Sequence, residues 1–295
     1  MKEIVVISGK GGTGKTSIAA AFATLVGVQG VIADCDVDAA DMHLLLKPSI
    51  ELCEDFYSGE GAFIDPMECR NCGGCADVCR FDAIDFIGGR YVINPIACEG
   101  CGYCARVCRP KAIAMSPKIS GQWYQSMSKH GAFMVHAKLG VGAENSGKLV
   151  AKVKKEAKTL ALREEKAWMI VDGSPGIGCP VVSSLSGAHF VVLVTEPTPS
   201  GLHDLERVHA VVKRFGIPSG CIINKADLNE EMCARIKGFL EAEGISLLAT
   251  IDFNPSFTKA MVMEQTILEY DDSSLHAPIQ HAFQTIQHIL QEKKQ

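Results

Sequence analysis

No apolar run in this 295-residue sequence approaches a bilayer span; the longest, such as Phe190–Val194, are strand-sized. A strong charge excess is lacking too. With 34 acidic and 29 basic residues the net charge is −5, so nothing global points to nucleic acid or an anionic membrane. Met1 leads within three residues into a strand, which leaves no room for a signal peptide and predicts the cytoplasm, where thiols stay reduced. What is present is 47% hydrophobic and 21% charged, a soluble composition in a chain long enough for one large α/β domain or two smaller ones.

Thirteen cysteines stand out against these absences. Reduced surroundings argue against a disulfide framework, so metal is the better reading and spacing decides it. Cys69, Cys72, Cys75 and Cys79 recur at Cys98, Cys101, Cys104 and Cys108, each shifted by 29 residues. Pro66 and Pro95, Gly73 and Gly102, Arg80 and Arg109 share that offset. One unit has been duplicated, over about residues 62–115. Each half reads Cys-x2-Cys-x2-Cys-x3-Cys, the bacterial pattern for two 4Fe–4S clusters, in which the fourth cysteine ligates the other half's cluster. The first cluster is then expected on Cys69, Cys72, Cys75 and Cys108, and the second on Cys98, Cys101, Cys104 and Cys79. Eight thiolates could instead form two zinc sites, but zinc ribbons pair two Cys-x2-Cys knuckles rather than running three cysteines and a fourth. Arg80 and Arg109 stand where such ferredoxins usually place proline; a positive charge there favours the reduced, more negative cluster.

Around the repeat the pattern changes. Short apolar runs at Ile4–Ser8, Val31–Ala33, Trp168–Val171, Phe190–Thr195, Cys221–Ile223 and Leu247–Ile251 alternate with helical stretches such as Gly201–Phe215. Near-continuous apolar strands separated by helices predict an α/β fold, a doubly wound and mostly parallel sheet. Residues 1–61 and 143–295 are expected to form this domain, 62–115 a small α+β insert, and 116–142 a hairpin or connector.

Gly9-Lys10-Gly11-Gly12-Thr13-Gly14-Lys15-Thr16 fits G-x-x-x-x-G-K-[ST] between a strand and a helix. Its glycines let successive N–H groups face phosphate oxygens, aided by the helix N-terminus. Gly11, Gly12, Thr13, Gly14, Lys15, Thr16 and Ser17 are thus the nucleotide-binding stretch, with Lys15 reaching the β/γ-phosphates and Thr16 ligating Mg²⁺. Asp34-Cys35-Asp36 ends the second strand, Asp172-Gly173-Ser174-Pro175-Gly176 ends a later one, and Asn224-Lys225-Ala226-Asp227 a third. An aspartate after a strand can also cap a helix, the plainer use open to Asp34 or Asp38.

Lys10 and these segments, in this order, resemble the deviant Walker A ATPases: the MinD/ParA/Mrp/nitrogenase-iron-protein group, and within it members carrying an inserted two-cluster ferredoxin domain. The likeness runs through Val194–Arg207 and Phe257–Tyr270 to nearly the whole chain. It implies that Lys10 reaches across a dimer to the partner's nucleotide. Asp36 would position the attacking water and, with Thr16 and Asp172, hold Mg²⁺, while Gly176 senses the γ-phosphate. Asn224 would contact adenine; the N-K-x-D reading of Asn224 and Asp227 keeps GTP open, though the deviant loop is the more specific signal and favours ATP/ADP. The group further implies ATP hydrolysis by a homodimer or a dimer with a close paralogue, acting on a redox or metallocluster client. The competing role is a MinD-like positioning or scaffold ATPase whose clusters sense redox state or are structural.

Cys179 follows Asp172 by seven residues. In the nitrogenase iron protein a cysteine at a similar place ligates a cluster that bridges the dimer, so the resemblance makes Cys179 a conditional ligand; the plain alternative is a small residue packed before Pro180. No cysteine lies between Cys108 and Cys179, so a dimer offers only two thiols there. Near the C-terminus, Ile279, Phe283, Ile286 and Leu290 form an apolar stripe opposite Gln and His, with lysines only at Lys293 and Lys294; that predicts core packing rather than a membrane anchor.

Overall fold

The computed structural model describes residues 1–140, 142, 146–270 and 273–292. In chain order the elements are β1 (Lys2–Ile7), α1 (Lys15–Val26), β2 (Gly30–Asp34), α2 (Met42–Leu46), β3 (Ser49–Ile64), α3 (Gly74–Asp77), β4 (Ile84–Ile87), β5 (Arg90–Ile93), α4 (Tyr103–Val107), β6 (Ile113–Met127) and β7 (Phe133–Leu139). There follow α5 (Ser146–Arg163), β8 (Trp168–Asp172), α6 (Cys179–Leu185), β9 (Phe190–Thr195), α7 (Pro199–Arg214), β10 (Ser219–Asn224), α8 (Glu230–Glu243), β11 (Ser246–Ile251), α9 (Ser256–Val262) and α10 (Ser273–Glu292). The chain divides into two compact units, the first comprising 1–53, 123–138 and 146–295, the second 54–122 and 139–145.

One sheet is ordered β11-β10-β9-β1-β8-β2-β7-β6-β3, and its strands from β11 to β2 lie wholly in the first unit. The pairs β10–β11, β9–β10, β1–β9, β1–β8, β2–β8 and β2–β7 are parallel. Ile4 and Val6 join one core with α1 and α10, and Val5 and Ile7, on the opposite face, are equally buried. Both faces are therefore covered, which is why the strands read as unbroken apolar runs. From β1 the chain crosses to β2, beyond β8; from β8 it returns to β9, on the other side of β1. Loops leaving β1, β8 and β2 thus meet at one edge, at a topological switch point.

The C-terminal stripe is core. Ile279, Phe283, Ile286 and Leu290 are buried, and the Phe283 ring lies 5.3 Å from Phe22 and 5.5 Å from Trp168. Lys293 and Lys294 lie outside the described residues.

The second unit is a twofold arrangement of the repeat. Left-handed backbone occurs at Asn71, Gly73 and Asp82 and again, 29 residues on, at Gly100, Gly102 and Lys111. Met67 and Ile96 N–H groups donate to the Asp65 and Asn94 side chains at 2.8 and 2.9 Å. Most informative is an exchange between halves: Asp65 N–H donates to Ala112 O, and Asn94 N–H to Ala83 O, each at 2.8 Å. The start of each half is therefore tied to the end of the other. Between the halves β4 and β5 pair antiparallel, Ile84 opposite Ile93. The hydrophobic core here is very small: among the described residues of this unit only Ile64, Ala83, Ala112 and Ile113 are buried apolar residues.

Candidate functional site

Three acids and one lysine gather at the edge where β1, β8 and β2 end. Residues 8–14 run from β1 into α1, whose N-cap Gly14 has φ 93°, a left-handed value that favours glycine. Lys15, the first helical residue, is buried, and its Nζ lies 2.5 Å from Asp172 Oδ1, 3.3 Å from Asp36 Oδ2 and 3.4 Å from Thr16 Oγ1. Burial opposes a charged lysine, yet Asp172 and Asp36 outweigh it and hold the Lys15 pKa above its ordinary value. Asp34 and Asp172 close β2 and β8 and are register partners. Burial and the Asp172 charge push the Asp34 carboxyl well above the usual range, and burial raises Asp36 as well.

One ammonium thus faces three carboxylates, and Asp34 Oδ2, Asp172 Oδ2 and Thr13 Oγ1 are buried without a hydrogen-bond partner. Such orphaned oxygens are costly in a dry site and suit a hard divalent cation that takes oxygen ligands. The oxygens are of the kind Mg²⁺ takes, although Asp34, Asp36 and Asp172 do not stand close enough together to hold an ion as a trio; Asp34 is an addition that sequence reasoning missed. Its signal was present as an acid in the last, fully buried position of a strand. Neither Asp34 nor Asp38 caps a helix, since α2 starts only at Met42.

Gly176 sits in left-handed backbone, and its N–H donates to Ser8 O at 2.9 Å. Ser174 Oγ donates to Cys35 O at 2.7 Å, which ties the loop after β8 to the one after β2. Asn224 Nδ2 donates to Thr13 O at 2.9 Å, so this side chain supports the phosphate loop. Asp227 Oδ1 accepts the Phe253 N–H at 2.5 Å and braces the turn after β11.

Lys10 reaches the loop after β9. Its Nζ is 2.7 Å from Glu196 Oε1, 3.0 Å from Ser200 Oγ and 3.3 Å from Thr198 Oγ1. The other Glu196 oxygen takes Lys225 Nζ at 2.9 Å, and Lys225 also donates to Gly12 O at 3.0 Å. Burial works against the charged Glu196, but Lys10 and Lys225 hold its pKa below the ordinary glutamate value. Glu196 and Lys225 had no role in the sequence reading, because they meet each other across 29 residues and meet Lys10 and Gly12 from the far end of the chain.

All thirteen cysteines are free thiols. Cys79, from the first half, lines a cleft with Cys98, Cys101 and Cys104 of the second. Burial raises the Cys75 pKa, with Cys69 and Cys108 nearby; burial also raises Cys104, which has Cys98, Cys101 and Cys75 nearby. Cys79 thus lines a cleft with the second half's three, and Cys75 has both Cys69 and Cys108 for neighbours. Among the described residues no three His, Cys, Asp or Glu side chains are close enough to hold a metal ion. Cys179 is exposed at the head of α6, in the first unit.

Comparison with known proteins covers most of the chain. The profile of the CobQ/CobB/MinD/ParA nucleotide binding domain matches residues 4–267. The uncharacterized protein MJ0578 of Methanocaldococcus jannaschii is 36% identical over 231 residues, 77% of this chain and 79% of that one. Among solved structures, the septum site-determining protein MinD of Pyrococcus horikoshii, complexed with Mg-ADP, superposes with TM-score 0.57 at 19% identity, over 96% of this chain and 95% of that one. An ATP complex of McdA(D38A) from Cyanothece gives TM-score 0.59 at 15% identity, over 97% and 96%. At such identities the two structures attest the fold.

Proposed function

The chain belongs to the CobQ/CobB/MinD/ParA family of nucleotide-binding domains, and on that premise we propose that it is a MinD-like, Mg²⁺-dependent ATPase whose second unit carries two 4Fe–4S clusters. The observation that carries the ATPase reading is the buried group of Lys15, Asp34, Asp36 and Asp172 at the sheet's switch point. Thr16, Asp36 and Asp172 would hold Mg²⁺, with Asp34 beside them, and the bound ion would neutralise charge on the phosphates. Lys15 leaves its carboxylates for the β/γ-phosphates, and Gly176 N–H exchanges the Ser8 carbonyl for a γ-phosphate oxygen. Asp36 then orients the attacking water. The Lys10 side chain lies on a loop and can turn from Glu196 toward the nucleotide of a second copy, or of a close paralogue, which makes the active form a dimer. ATP is the expected nucleotide, since Asp227 already spends one carboxylate oxygen on Phe253 N–H.

Two observations support the clusters. The backbone bonds exchanged between halves, the cleft that Cys79 lines with Cys98, Cys101 and Cys104, and the neighbours Cys69 and Cys108 of Cys75 support crossed ligation. A unit with four buried apolar residues among those described, and no disulfide, also needs another source of stability, which metal clusters would supply. Family membership favours a MinD-like ATPase; in this reading the clusters sense redox state or serve structure, and the protein works in the cytoplasm. A second reading, ATP-gated electron transfer or cluster delivery to a client, rests on the exposed Cys179 thiol beside the γ-phosphate-sensing loop.

Equilibrium binding of Mg–ATP and Mg–GTP to wild type and Lys15→Ala tests the proposal. ATP binding lost in the variant supports it. A tenfold preference for GTP, about 1.4 kcal/mol, contradicts the base assignment. A shift in cluster potential with bound nucleotide would favour the second reading over the first.

A further inference from the structure

A cavity of about 540 Å³ opens in the first unit, lined by α5, the C-terminal end of α6 and Phe215, the residue after α7. Glu3, one of its lining residues, stands five positions before Ser8, so at about 3.3 Å per residue roughly 16 Å of strand separates it from the phosphate loop. Charge in this cavity is unevenly matched. Buried Lys154 donates to Ser184 O at 2.5 Å and Ser186 O at 2.8 Å, and pairs with Glu3 Oε1 at 2.5 Å. That one ammonium offsets both the negative end of α6 and the carboxylate in the lining. Lys155 and Lys158, also in the lining, are exposed and have no acidic partner among the described residues. Two positive charges are therefore left over. A neighbour feels them: burial lowers the His189 pKa, Glu3 opposes it, and Lys2 and Lys158 push it lower still. The remaining walls are of two kinds. Ser183 and Ser186 bring hydroxyls that can donate to an anion, and Val182 and Phe215 each leave 42% of their surface exposed. Apolar walls with a few orienting polar groups, in a cavity of this size, are what small-molecule sites are made of.

We propose that this cavity is a second ligand site, for a small organic anion whose phosphate or carboxylate meets Lys155 and Lys158 while its apolar body rests on Val182 and Phe215. The site stands independently of the nucleotide reading, because none of its lining residues belongs to the phosphate loop or to the acids around Lys15. Lys154 is the fixed part: with its charge spent on Glu3 and the end of α6, it holds the wall in place and leaves the anion to the two free lysines. An acidic peptide would need a longer basic track, and along α5 that track is broken at Lys152, whose Nζ is 2.8 Å from Glu156 Oε1.

Calorimetric titration of the full chain, in excess Mg–ADP so that the nucleotide site is filled, tests the site with two probes, phenyl phosphate and inorganic phosphate. Phenyl phosphate should bind about tenfold more tightly, since burying part of its ring against Val182 and Phe215 is worth about that factor. Lys155→Ala with Lys158→Ala should weaken both probes about tenfold or more, because charge-assisted hydrogen bonds are lost. Arg235→Ala with Lys237→Ala, an equal loss of charge on α8, should leave both unchanged. All four of these side chains are exposed, so both double variants keep the fold. Phe215→Ala should weaken phenyl phosphate alone, to about the affinity of inorganic phosphate. Wild type that shows no saturable binding of phenyl phosphate overturns the site, and so does binding unchanged in the Lys155 and Lys158 variant. Equal affinity for the two probes, or a hexaglutamate peptide that displaces phenyl phosphate at lower concentration, overturns the ligand class. Should Mg–ADP itself not bind, the nucleotide reading falls, and the lysine variants still decide this site.

Discussion

Replacing Asp34 by Asn should stabilise the protein without Mg²⁺ and weaken its hold on Mg-nucleotide, two effects of opposite benefit from one nearly isosteric change. Asp34 is 1% exposed, its Oδ2 has no hydrogen-bond partner, and burial and the Asp172 charge raise its pKa well above the ordinary carboxylate value. Leaving such a group buried and unsatisfied costs about 1–3 kcal/mol, which the uncharged amide largely relieves. In a domain of this size each kcal/mol moves the midpoint by roughly 2–4 °C, so thermal unfolding in chelator should show a rise of about 2–12 °C. The pH dependence has a definite sign. A carboxyl whose folded pKa is raised destabilises the fold once ionised, so wild-type stability falls as pH rises from about 3.9 through the folded value. The Asn variant escapes that loss, and its advantage should vanish at low pH. With Mg–ATP present the order should reverse, since the wild-type carboxylate then faces a cation. A variant that is less stable in chelator, with Mg–ATP affinity unchanged, would make Asp34 a structural residue and refute the reasoning.

Three further outcomes follow from the same geometry. Anaerobically reconstituted protein should carry about eight irons, and Cys69→Ser and Cys108→Ser should damage the same cluster; losses in different clusters would refute the crossed grouping. Chelated, iron-free protein should lose hydrogen-exchange protection across 54–122 while β1 and β9 stay protected, because structural metal supplies on the order of 10 kcal/mol to folds with so small a core. Glu196→Gln should tighten ATP binding by freeing Lys10 and Lys225. It should also cost about 1–3 kcal/mol at neutral pH, a difference that fades on acidification because a depressed carboxylate loses its stabilising effect as pH falls.

Much of the candidate site was legible because its parts are local: the loop 9–16 is one contiguous motif, and Asp36 and Asp172 lie at the ends of apolar runs and meet Lys15 in the fold. The sheet was legible for a related reason, since strands buried on both faces write their burial into consecutive residues. Glu196 was not, because its meaning lies in Lys10 and Lys225, placed beside it only by the order β10-β9-β1. The length of β3 was equally hidden: most of its 16 residues are exposed, so no hydrophobic period marks it. In the repeat, the offset of 29 exposed the duplication, while the exchange of Asp65 and Asn94 between halves needed three dimensions. Asp227 carries a contact the motif does not announce, its Oδ1 accepting the Phe253 N–H.

The central claim is that Lys15 and the carboxylates around it form the working centre of an ATPase, and steady-state ATP turnover of anaerobic protein tests it most directly. Wild type should hydrolyse ATP slowly with Mg²⁺ and stop in chelator. Asp36→Ala should bind Mg–ATP yet fail to turn it over, and Lys15→Ala should do neither. Turnover by Asp36→Ala at the wild-type rate, or wild-type hydrolysis undiminished in chelator, would contradict the account.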